Sequence, residues 1–204
     1  MFEEYYPSEL LANAVKEFSK LPGIGEKTAL RLVMHLLKQD EKQVENFAQS
    51  IVKVKKETHR CKVCNNISDG ETCDICSSYS RNHSIICIVE DIQDLLAVER
   101  TRQYNGVYHV LGGLISPLDG IKPSDLSIDK LFERIENEPV EEIIFALDAT
   151  TEGEATSMYL YKKLQNYNIK ISSIARGVGF GDELHYSDEI TLGRSILERV
   201  PFEK

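Results

Sequence analysis

The amino-acid sequence predicts an α/β fold in which a helical N-terminal domain and a small four-cysteine element precede a doubly wound parallel-sheet domain and a C-terminal arm. Three observations support this prediction. Apolar residues recur at helical spacing over the first sixty residues, four cysteines form two C-x-x-C pairs, and strand-like runs then alternate with helical patterns. The predicted segments are 1–58, 59–82, 83–178 and 179–204.

Composition and charge are those of an ordinary globular chain whose acidity lies in its second half. The 204 residues are 42% hydrophobic and 28% charged, with a formal net charge of −9. Residues 1–80 contain 11 Lys and Arg against 12 Asp and Glu, a balance of −1, whereas residues 81–204 contain 13 against 21, a balance of −8. A phosphate-binding surface is therefore expected in the first half.

The sequence has no pattern typical of a membrane or secreted protein. The longest apolar runs, such as residues 85–89, have the length of a strand and are too short to span a bilayer. The first residues, Met-Phe-Glu-Glu, lack the basic segment of a signal peptide. We therefore expect a cytoplasmic protein with no membrane contact.

The N-terminal domain is predicted to contain three amphipathic helices. Apolar residues occur three times at positions i, i+3, i+4 and i+7, which lie on one face of a helix. These sets are Leu11, Ala14, Val15 and Phe18; Ala29, Leu32, Val33 and Leu36; and Val44, Phe47, Ala48 and Ile51.

A short glycine-containing turn, Leu-Pro-Gly-Ile-Gly at 21–25, joins the first two helices. Gly23 and Gly25 permit positive φ and the close approach of another backbone, and the free N–H groups that open the second helix favour an anion. Residues 20–38 carry four Lys and Arg against one Glu. The pattern resembles the helix-hairpin-helix motif, which holds the sugar-phosphate backbone without reading bases. The predicted DNA-binding residues are Lys20, Gly23, Gly25, Lys27, Thr28 and Arg31.

The alternative interpretation of this turn is a P-G-x-G connection between two packed helices, with no ligand. The charge distribution favours DNA, because positive side chains cluster around the turn although the whole chain is acidic.

Two C-x-x-C pairs separated by eight residues predict one metal site. Two such turns facing each other close a tetrahedral site of four thiolates, and these soft ligands favour one structural Zn²⁺ per chain with no open coordination position. A redox dithiol or two unrelated surface pairs are the alternatives, and His59 or His83 could replace one ligand. The predicted ligands are Cys61, Cys64, Cys73 and Cys76.

The hydrophobic period changes after the cysteines. Strand runs at 85–89, 107–111, 143–147 and 169–175 alternate with helical patterns. This alternation predicts a parallel sheet with helices on both faces.

Carboxylates stand where two of these strands end, the edge at which functional groups gather in open parallel sheets. The pattern resembles the Toprim domain of topoisomerases and primases, which pairs a strand-end Glu with Asp-x-Asp to hold Mg²⁺. The corresponding residues here are Glu90 and Asp148, but Thr150 replaces the second Asp. A hydroxyl binds a hard divalent ion poorly, so the acidic site is expected to be degenerate.

Other acidic residues of this half have simpler interpretations. Glu152 and Glu154 open a predicted helix, where they would either supplement the acidic site or complement the helix dipole. Asp94 and Glu99 are expected on a solvated helix face.

The order of these parts resembles the RecR family of bacterial recombination mediators over essentially the whole chain. Beyond the hairpin and the cysteines, the resemblance is carried by Val-Glu-Asp-Ile-Gln-Asp-Leu at 89–95, Tyr-His-Val-Leu-Gly-Gly at 108–113 and Thr-Glu-Gly-Glu-Ala-Thr at 151–156. The stretches 174–177 and 188–194 are also similar to that family.

The resemblance implies a DNA-binding protein without enzymatic activity, associated with the nucleoid, that assembles into a ring of two or four copies. Such proteins act with RecO and RecF to help place RecA on single-stranded gaps in recombinational DNA repair. DNA is then expected to be held by its backbone, independently of sequence, while the acidic half meets a basic partner.

Two other functions remain open from the sequence. One is a Mg²⁺-dependent nuclease, primase or topoisomerase that uses Glu90 and Asp148. The other is a zinc-stabilised protein-interaction module that does not contact DNA.

Overall fold

Residues 6–179 and 181–201 are described by a computed structural model of the chain. The chain divides into two compact units, Met1–Thr58 (unit 1) and His59–Lys204 (unit 2). Within the described ranges, none of the helices combines the length and the apolar character needed to cross a membrane.

Unit 1 contains the three predicted helices. Its small core consists of Val15, Ala29 and Val33, which pack between the first two helices at the predicted apolar positions. The helices are α1 (Glu9–Ser19), α2 (Glu26–Leu36) and α3 (Glu41–Glu57).

Helix α3 has the predicted amphipathic period, yet none of its residues is buried. Phe47 is 44% exposed and Ile51 is 55% exposed, and Val52 and Val54 are also exposed. The described part of the chain therefore leaves the apolar residues of α3 largely uncovered.

Unit 2 begins with the cysteine element and continues as an alternation of strands and helices. Its strands are β1 (His59–Arg60), β2 (Ile67–Ser68), β3 (Asn82–Val89), β4 (Gly106–Val110), β5 (Glu142–Ala146) and β6 (Lys170–Ser173). Its helices are α4 (Asp74–Ser77), α5 (Ile92–Thr101), α6 (Ile128–Asn137), α7 (Thr151–Leu164) and α8 (Glu189–Leu197), with short 3₁₀ turns at Pro123–Asp125 and Leu184–Tyr186.

The predicted α/β fold class is confirmed. The main sheet has the strand order β4-β3-β5-β6, and every pair in it is parallel. Ile86 and Ile88 of β3 pack in one core cluster with residues of α6 and α7. Cys87 and Val89 pack in a second cluster with Leu95 of α5. Because successive residues of β3 point to opposite faces, helices cover both sides of the sheet.

The strand register places the predicted acidic residues Glu90 and Asp148 together at the carboxyl ends of the strands. Val89 of β3 is paired with Val110 of β4 and with Ala146 of β5. Glu90 therefore follows a central strand at the point where the neighbouring strand leads into Asp148.

Candidate functional site

The structure brings the four predicted cysteine ligands together. Their Sγ atoms all lie within 4.8 Å of one another, and the Sγ atoms of Cys64 and Cys73 are 3.6 Å apart. Cys61, Cys64 and Cys73 are buried, whereas Cys76 is half-buried. Within the described residues this is the one group of three or more His, Cys, Asp or Glu side chains close enough to hold a metal ion.

Backbone hydrogen bonds shape the first cysteine pair into a tight turn. The Asn65 N–H donates to the Cys61 carbonyl oxygen (3.0 Å), and the Cys61 N–H donates to the Asn66 carbonyl oxygen (2.7 Å). The Cys73 N–H points at Cys61 Sγ (3.3 Å). These bonds hold the sulfurs in place within a loop whose own strands, β1 and β2, have only two residues each.

The four close sulfurs of the cysteine cluster can carry negative charge together only if a cation lies between them. Hydrogen bonds with the Cys64 and Cys73 side chains, followed by burial, raise the pKa of the Cys76 thiol. Sulfurs this close cannot all ionise without a compensating positive charge. Four convergent thiolates are the donor set of a closed tetrahedral metal site, so these residues fit a soft divalent ion.

The two flanking histidines lie outside this cluster. His59 is exposed, and His83 Nε2 lies 3.0 Å from the Ser78 carbonyl oxygen. Cys87 is also separate: it is buried in β3, where desolvation raises the pKa of its thiol to about 12.

The hairpin between α1 and α2 uses its two glycines in different ways. Gly23 has a φ of +76°, so its conformation requires glycine. Gly25 has a φ of −81° and lies at the N-cap of α2, so it does not adopt the positive φ that glycine permits. Without a side chain it leaves the first N–H groups of α2 uncapped, and a Cβ at either glycine would meet none of the described residues within 4 Å.

The predicted basic residues of the hairpin differ in their surroundings. Lys27 and Arg31 are exposed on α2, and Thr28 is half-buried. Lys20 forms an ion pair with Glu17 at 2.6 Å, in which both side chains remain exposed. Lys27 and Arg31 are thus the predicted cations that have no ion-pair partner among the described residues.

The structure also brings Glu90 and Asp148 near each other at the sheet edge. Burial, followed by the charges of Asp148, Asp94 and Asp91, raises the pKa of Glu90. The Asp91 carboxylate accepts hydrogen bonds from the Gln93 and Asp94 N–H groups and caps α5. We call Glu90, Asp91, Asp94 and Asp148 the acidic edge.

Thr150, which replaces the second Asp of the Toprim pattern, has a structural role. Its hydroxyl oxygen accepts a hydrogen bond from the Gly153 N–H (3.1 Å) and caps α7. Glu154 is held by Arg176 and, at 3.3 Å, by Arg194, so its charge is already compensated. Gly153 is required here, because a Cβ would clash with the Asp148 carbonyl oxygen.

Comparison with known families covers nearly the whole chain. Residues 11–55 match a family model described as RecR, helix-hairpin-helix, and residues 58–78 match the model for the RecR zinc finger domain with four cysteine ligands. Residues 84–175 match the Toprim domain, and residues 177–200 match RecR, C-terminal.

Whole-chain relatives decide the family. The chain is 57% identical over 199 residues to the Recombination protein RecR of Bacteroides thetaiotaomicron, covering 98% of this chain and 97% of that one. It is 54% identical to the same-named protein of Flavobacterium johnsoniae (98% and 97% covered) and 49% identical to that of Porphyromonas gingivalis (97% and 95% covered). The chain belongs to the RecR family. The resemblance predicted from the sequence is confirmed.

One polar group in the sheet domain of this RecR-family chain was not anticipated. Glu99, predicted on a solvated face, instead accepts two hydrogen bonds from Arg81 (2.9 and 2.5 Å) and one from the Tyr108 hydroxyl (2.6 Å). These bonds, the Arg81 bonds foremost, lower the pKa of Glu99. Its partners lie 18 and 9 residues away, so helical periodicity held no signal for them.

Proposed function

We propose that this chain is a DNA-binding recombination mediator that holds DNA by its sugar-phosphate backbone, independently of sequence. The observation that carries the proposal is the exposed hairpin between α1 and α2. It offers uncapped N–H groups beside the cations Lys27 and Arg31. Membership of the RecR family supports a role in recombinational DNA repair.

The hairpin suits a phosphate for two physical reasons. The first N–H groups of a helix carry a partial positive charge and favour an anion. The space beside Gly23 and Gly25 is open to a phosphate oxygen, because even a Cβ there would touch none of the described residues within 4 Å. None of these groups distinguishes one base from another, so contact is expected to be independent of sequence.

We further propose that the chain breaks no bonds itself. Glu90 and Asp148 lack a third carboxylate at the position of Thr150, whose hydroxyl is engaged in capping α7. Glu154 is paired with two arginines and does not supply the missing ligand. An acidic edge of this kind is better suited to a basic protein surface than to catalytic Mg²⁺.

The partners follow from family membership as part of the same proposal. We propose that the chain acts with RecO and RecF to help place RecA on single-stranded gaps. The acidic edge would meet a basic partner surface, and that association would weaken with added salt. A cytoplasmic location at the nucleoid belongs to the same proposal.

We propose that the protein works as a homo-oligomer, a ring of two or four copies. The uncovered apolar residues of α3 support this, as do Ile190 and Leu197 of α8, which are 73% and 80% exposed. Apolar surface of this kind is normally covered by another chain. A ring would also place several copies of Lys27 and Arg31 around one DNA molecule.

The metal at the four cysteines is proposed to be one structural Zn²⁺ per chain. Soft thiolate donors support zinc over hard cations, and four protein ligands leave no position for a reacting water. Metal analysis of purified protein tests this directly: we expect one zinc per chain, and a ratio near zero would reject the proposal.

The DNA proposal is tested by the double variant Lys27→Ala, Arg31→Ala. Binding to single-stranded oligonucleotides of several sequences is measured at increasing salt. We expect all sequences to bind more weakly and the magnitude of the slope of log affinity against log salt to fall by about 1.4, since each lost contact to a single-stranded phosphate is worth about 0.7. The double variant Lys130→Ala, Lys162→Ala changes the net charge equally, at exposed positions of unit 2, and should bind as the wild type does.

Each other outcome rejects part of the proposal. Unchanged affinity in the Lys27, Arg31 variant would remove the hairpin from the interface. Failure of the wild type to bind DNA at low salt would favour a protein-interaction module. Cleavage or synthesis of DNA with Mg²⁺, lost in Glu90→Ala, would favour the enzyme.

A further inference from the structure

The outer edge of strand β4 is closed by side chains and loops instead of another strand. β4 lies at one end of the strand order of the main sheet, so one of its edges has no strand neighbour among the described residues. Arg134 Nη1 donates to the Tyr108 carbonyl oxygen there (3.1 Å). An open strand edge would otherwise present unpaired N–H and C=O groups to other chains.

The cysteine turn closes the next position along this edge. The Val110 N–H donates to the Cys64 carbonyl oxygen (2.8 Å), and Asn65 Nδ2 donates to the Val110 carbonyl oxygen (2.9 Å). Both main-chain groups of Val110 are therefore satisfied by two consecutive residues, as they would be by a neighbouring strand. The Asn65 amide takes the place of a backbone N–H.

The conformation of Asn65 belongs to the metal-binding turn. Its φ is +64°, a left-handed conformation that asparagine tolerates better than most residues. The Asn65 N–H donates to the Cys61 carbonyl oxygen, and the Asn65 carbonyl oxygen accepts from Arg60 Nη1 (3.2 Å). The position of the Asn65 amide is thus tied to the turn that carries Cys61 and Cys64.

The residues that follow Val110 are hydrogen-bonded to the end of β3, where Glu90 of the acidic edge lies. The Leu111 N–H donates to the Val89 carbonyl oxygen (3.0 Å), and the Gly112 N–H donates to the Glu90 carbonyl oxygen (2.8 Å). Val110 is bonded to the cysteine turn, and the two residues that follow it are bonded to the end of β3. A displacement of the turn would therefore reach the backbone of Glu90 through three consecutive residues.

We propose that Asn65 is a positioning residue that couples metal occupancy of the four cysteines to the outer edge of β4 and to the backbone of Glu90. With the metal bound, the turn acts as a short additional strand on β4. Without the metal, Val110 loses both partners and the segment 110–112 opens locally. This inference rests on the proposed metal site.

Amide hydrogen exchange of the full chain tests the coupling without any substitution. Exchange is measured with Zn²⁺ bound and after removal of Zn²⁺ by a chelator. We expect the Val110 amide to exchange about tenfold faster without metal, with smaller increases at Leu111 and Gly112. The Ile144 amide of β5, in the interior of the sheet, exchanges only when unit 2 unfolds, so in the metal-free protein it should still exchange at least about tenfold more slowly than Val110. Equal exchange rates at Val110 and Ile144 in the metal-free protein, or no change at Val110 on metal removal, would overturn the coupling.

Two substitutions at Asn65 isolate its side chain. Asn65→Gly keeps the left-handed backbone and removes the amide, whereas Asn65→Asp keeps the size but replaces the donor with an acceptor facing the Val110 carbonyl. In the zinc-loaded protein we expect both to speed exchange at Val110 by about fivefold, the value for loss of one hydrogen bond. Asn166→Asp, the same chemical change at an exposed position after α7, should leave Val110 unchanged.

Cobalt binding separates failure of this inference from failure of the metal site. Co²⁺ added in place of Zn²⁺ gives a thiolate charge-transfer absorption when it is held by cysteines. Absence of that absorption in the wild type would reject the metal site itself. Its presence in all variants, with Val110 exchange unaffected by Asn65→Gly and Asn65→Asp, would reject the coupling alone.

Discussion

Helices α3 and α6 show how the two units differ. Both have an amphipathic sequence, and the residue spacing predicts an apolar face on each. Helix α6 buries Ile128, Leu131 and Ile135 against the sheet, whereas the described part of the chain buries no residue of α3. Hydrophobic periodicity therefore identifies the apolar face of a helix but not whether the same chain covers it. Unit 2 uses its apolar residues for its own core, and unit 1 keeps many of them at its surface.

The charged residues also differ between the two units, in whether they are paired with an opposite charge. In unit 2, Glu99 is bound by Arg81 and Tyr108, and the buried Arg134 pairs with Glu138 at 2.8 Å. Lys27 and Arg31 of unit 1 are exposed and have no ion-pair partner in the described part of the chain. Unit 2 has the features of a scaffold, and unit 1 those of a binding surface.

Removal of the metal should produce the largest effect, and only in unit 2. When free Zn²⁺ exceeds its Kd about a thousandfold, binding stabilises the folded state by about 4 kcal/mol. A chelator should therefore lower the melting temperature of unit 2 by about 10 °C in calorimetry. Hydrogen exchange in α2 should not change, because unit 1 contains no cysteine.

Cys87→Ala provides the matched control for this experiment. It removes a buried cysteine outside the cluster and should leave the response to chelator intact. An unchanged melting temperature of the wild type after metal removal would contradict a structural role for the metal.

Truncation of one apolar residue in each unit should give the next largest contrast. Leu131→Ala, in the core of unit 2, should cost about 3 kcal/mol in the free energy of unfolding. Phe47→Ala on α3 should cost less than about 1 kcal/mol in dilute monomer, because the side chain is already 44% exposed. Urea denaturation measures both, and light scattering should show that only Phe47→Ala reduces the assembled mass at high concentration.

Equal costs for the two substitutions would contradict the contrast between the units. Equal costs would mean that Phe47 of α3 is buried within its own chain as completely as Leu131 of α6 is.

Two carboxylates of unit 2 should respond to pH with opposite signs. The pKa of Glu99 is lowered, so its stabilisation is present at neutral pH and lost as the pH falls through the folded-state pKa. Glu99→Gln should therefore destabilise the protein by about 1 kcal/mol at pH 7. The pKa of Glu90 is raised, so its charge opposes folding at neutral pH, and Glu90→Gln should stabilise by about 0.5 kcal/mol.

Urea denaturation between pH 3 and pH 7 measures both effects. Each difference from the wild type should shrink as the carboxylate becomes protonated in the wild-type protein. Effects of the same sign at pH 7 would contradict the view that the charge of Glu90 is opposed by neighbouring carboxylates whereas the charge of Glu99 is paired with Arg81.

Much of the fold followed from local sequence patterns. Periodicity located the helices and strands, because apolar spacing reflects which side of an element faces a core. The C-x-x-C spacing identified four cysteines whose sulfurs do converge, because each pair is fixed by a short turn. The glycine turn identified the hairpin for the same reason.

The features that escaped prediction depend on residues distant in the chain. Glu99 finds Arg81 only after β3 and α5 pack together, and Asn65 reaches Val110 across 45 positions. The sequence showed that Gly23 and Gly25 permit positive φ but not which of them adopts it, because φ at a helix N-cap such as Gly25 is set by the entering chain. Whether α3 is covered depends on which other surface packs against it, and hydrophobic periodicity does not specify that surface.

The central claim, that unit 1 holds DNA through the hairpin, is tested most directly by amide chemical shifts of the full chain during titration with single-stranded DNA. The account predicts large shifts at the amides of Glu26, Lys27 and Thr28, with none at Glu90 or Asp148. Large shifts at the acidic edge and none at the hairpin would contradict it.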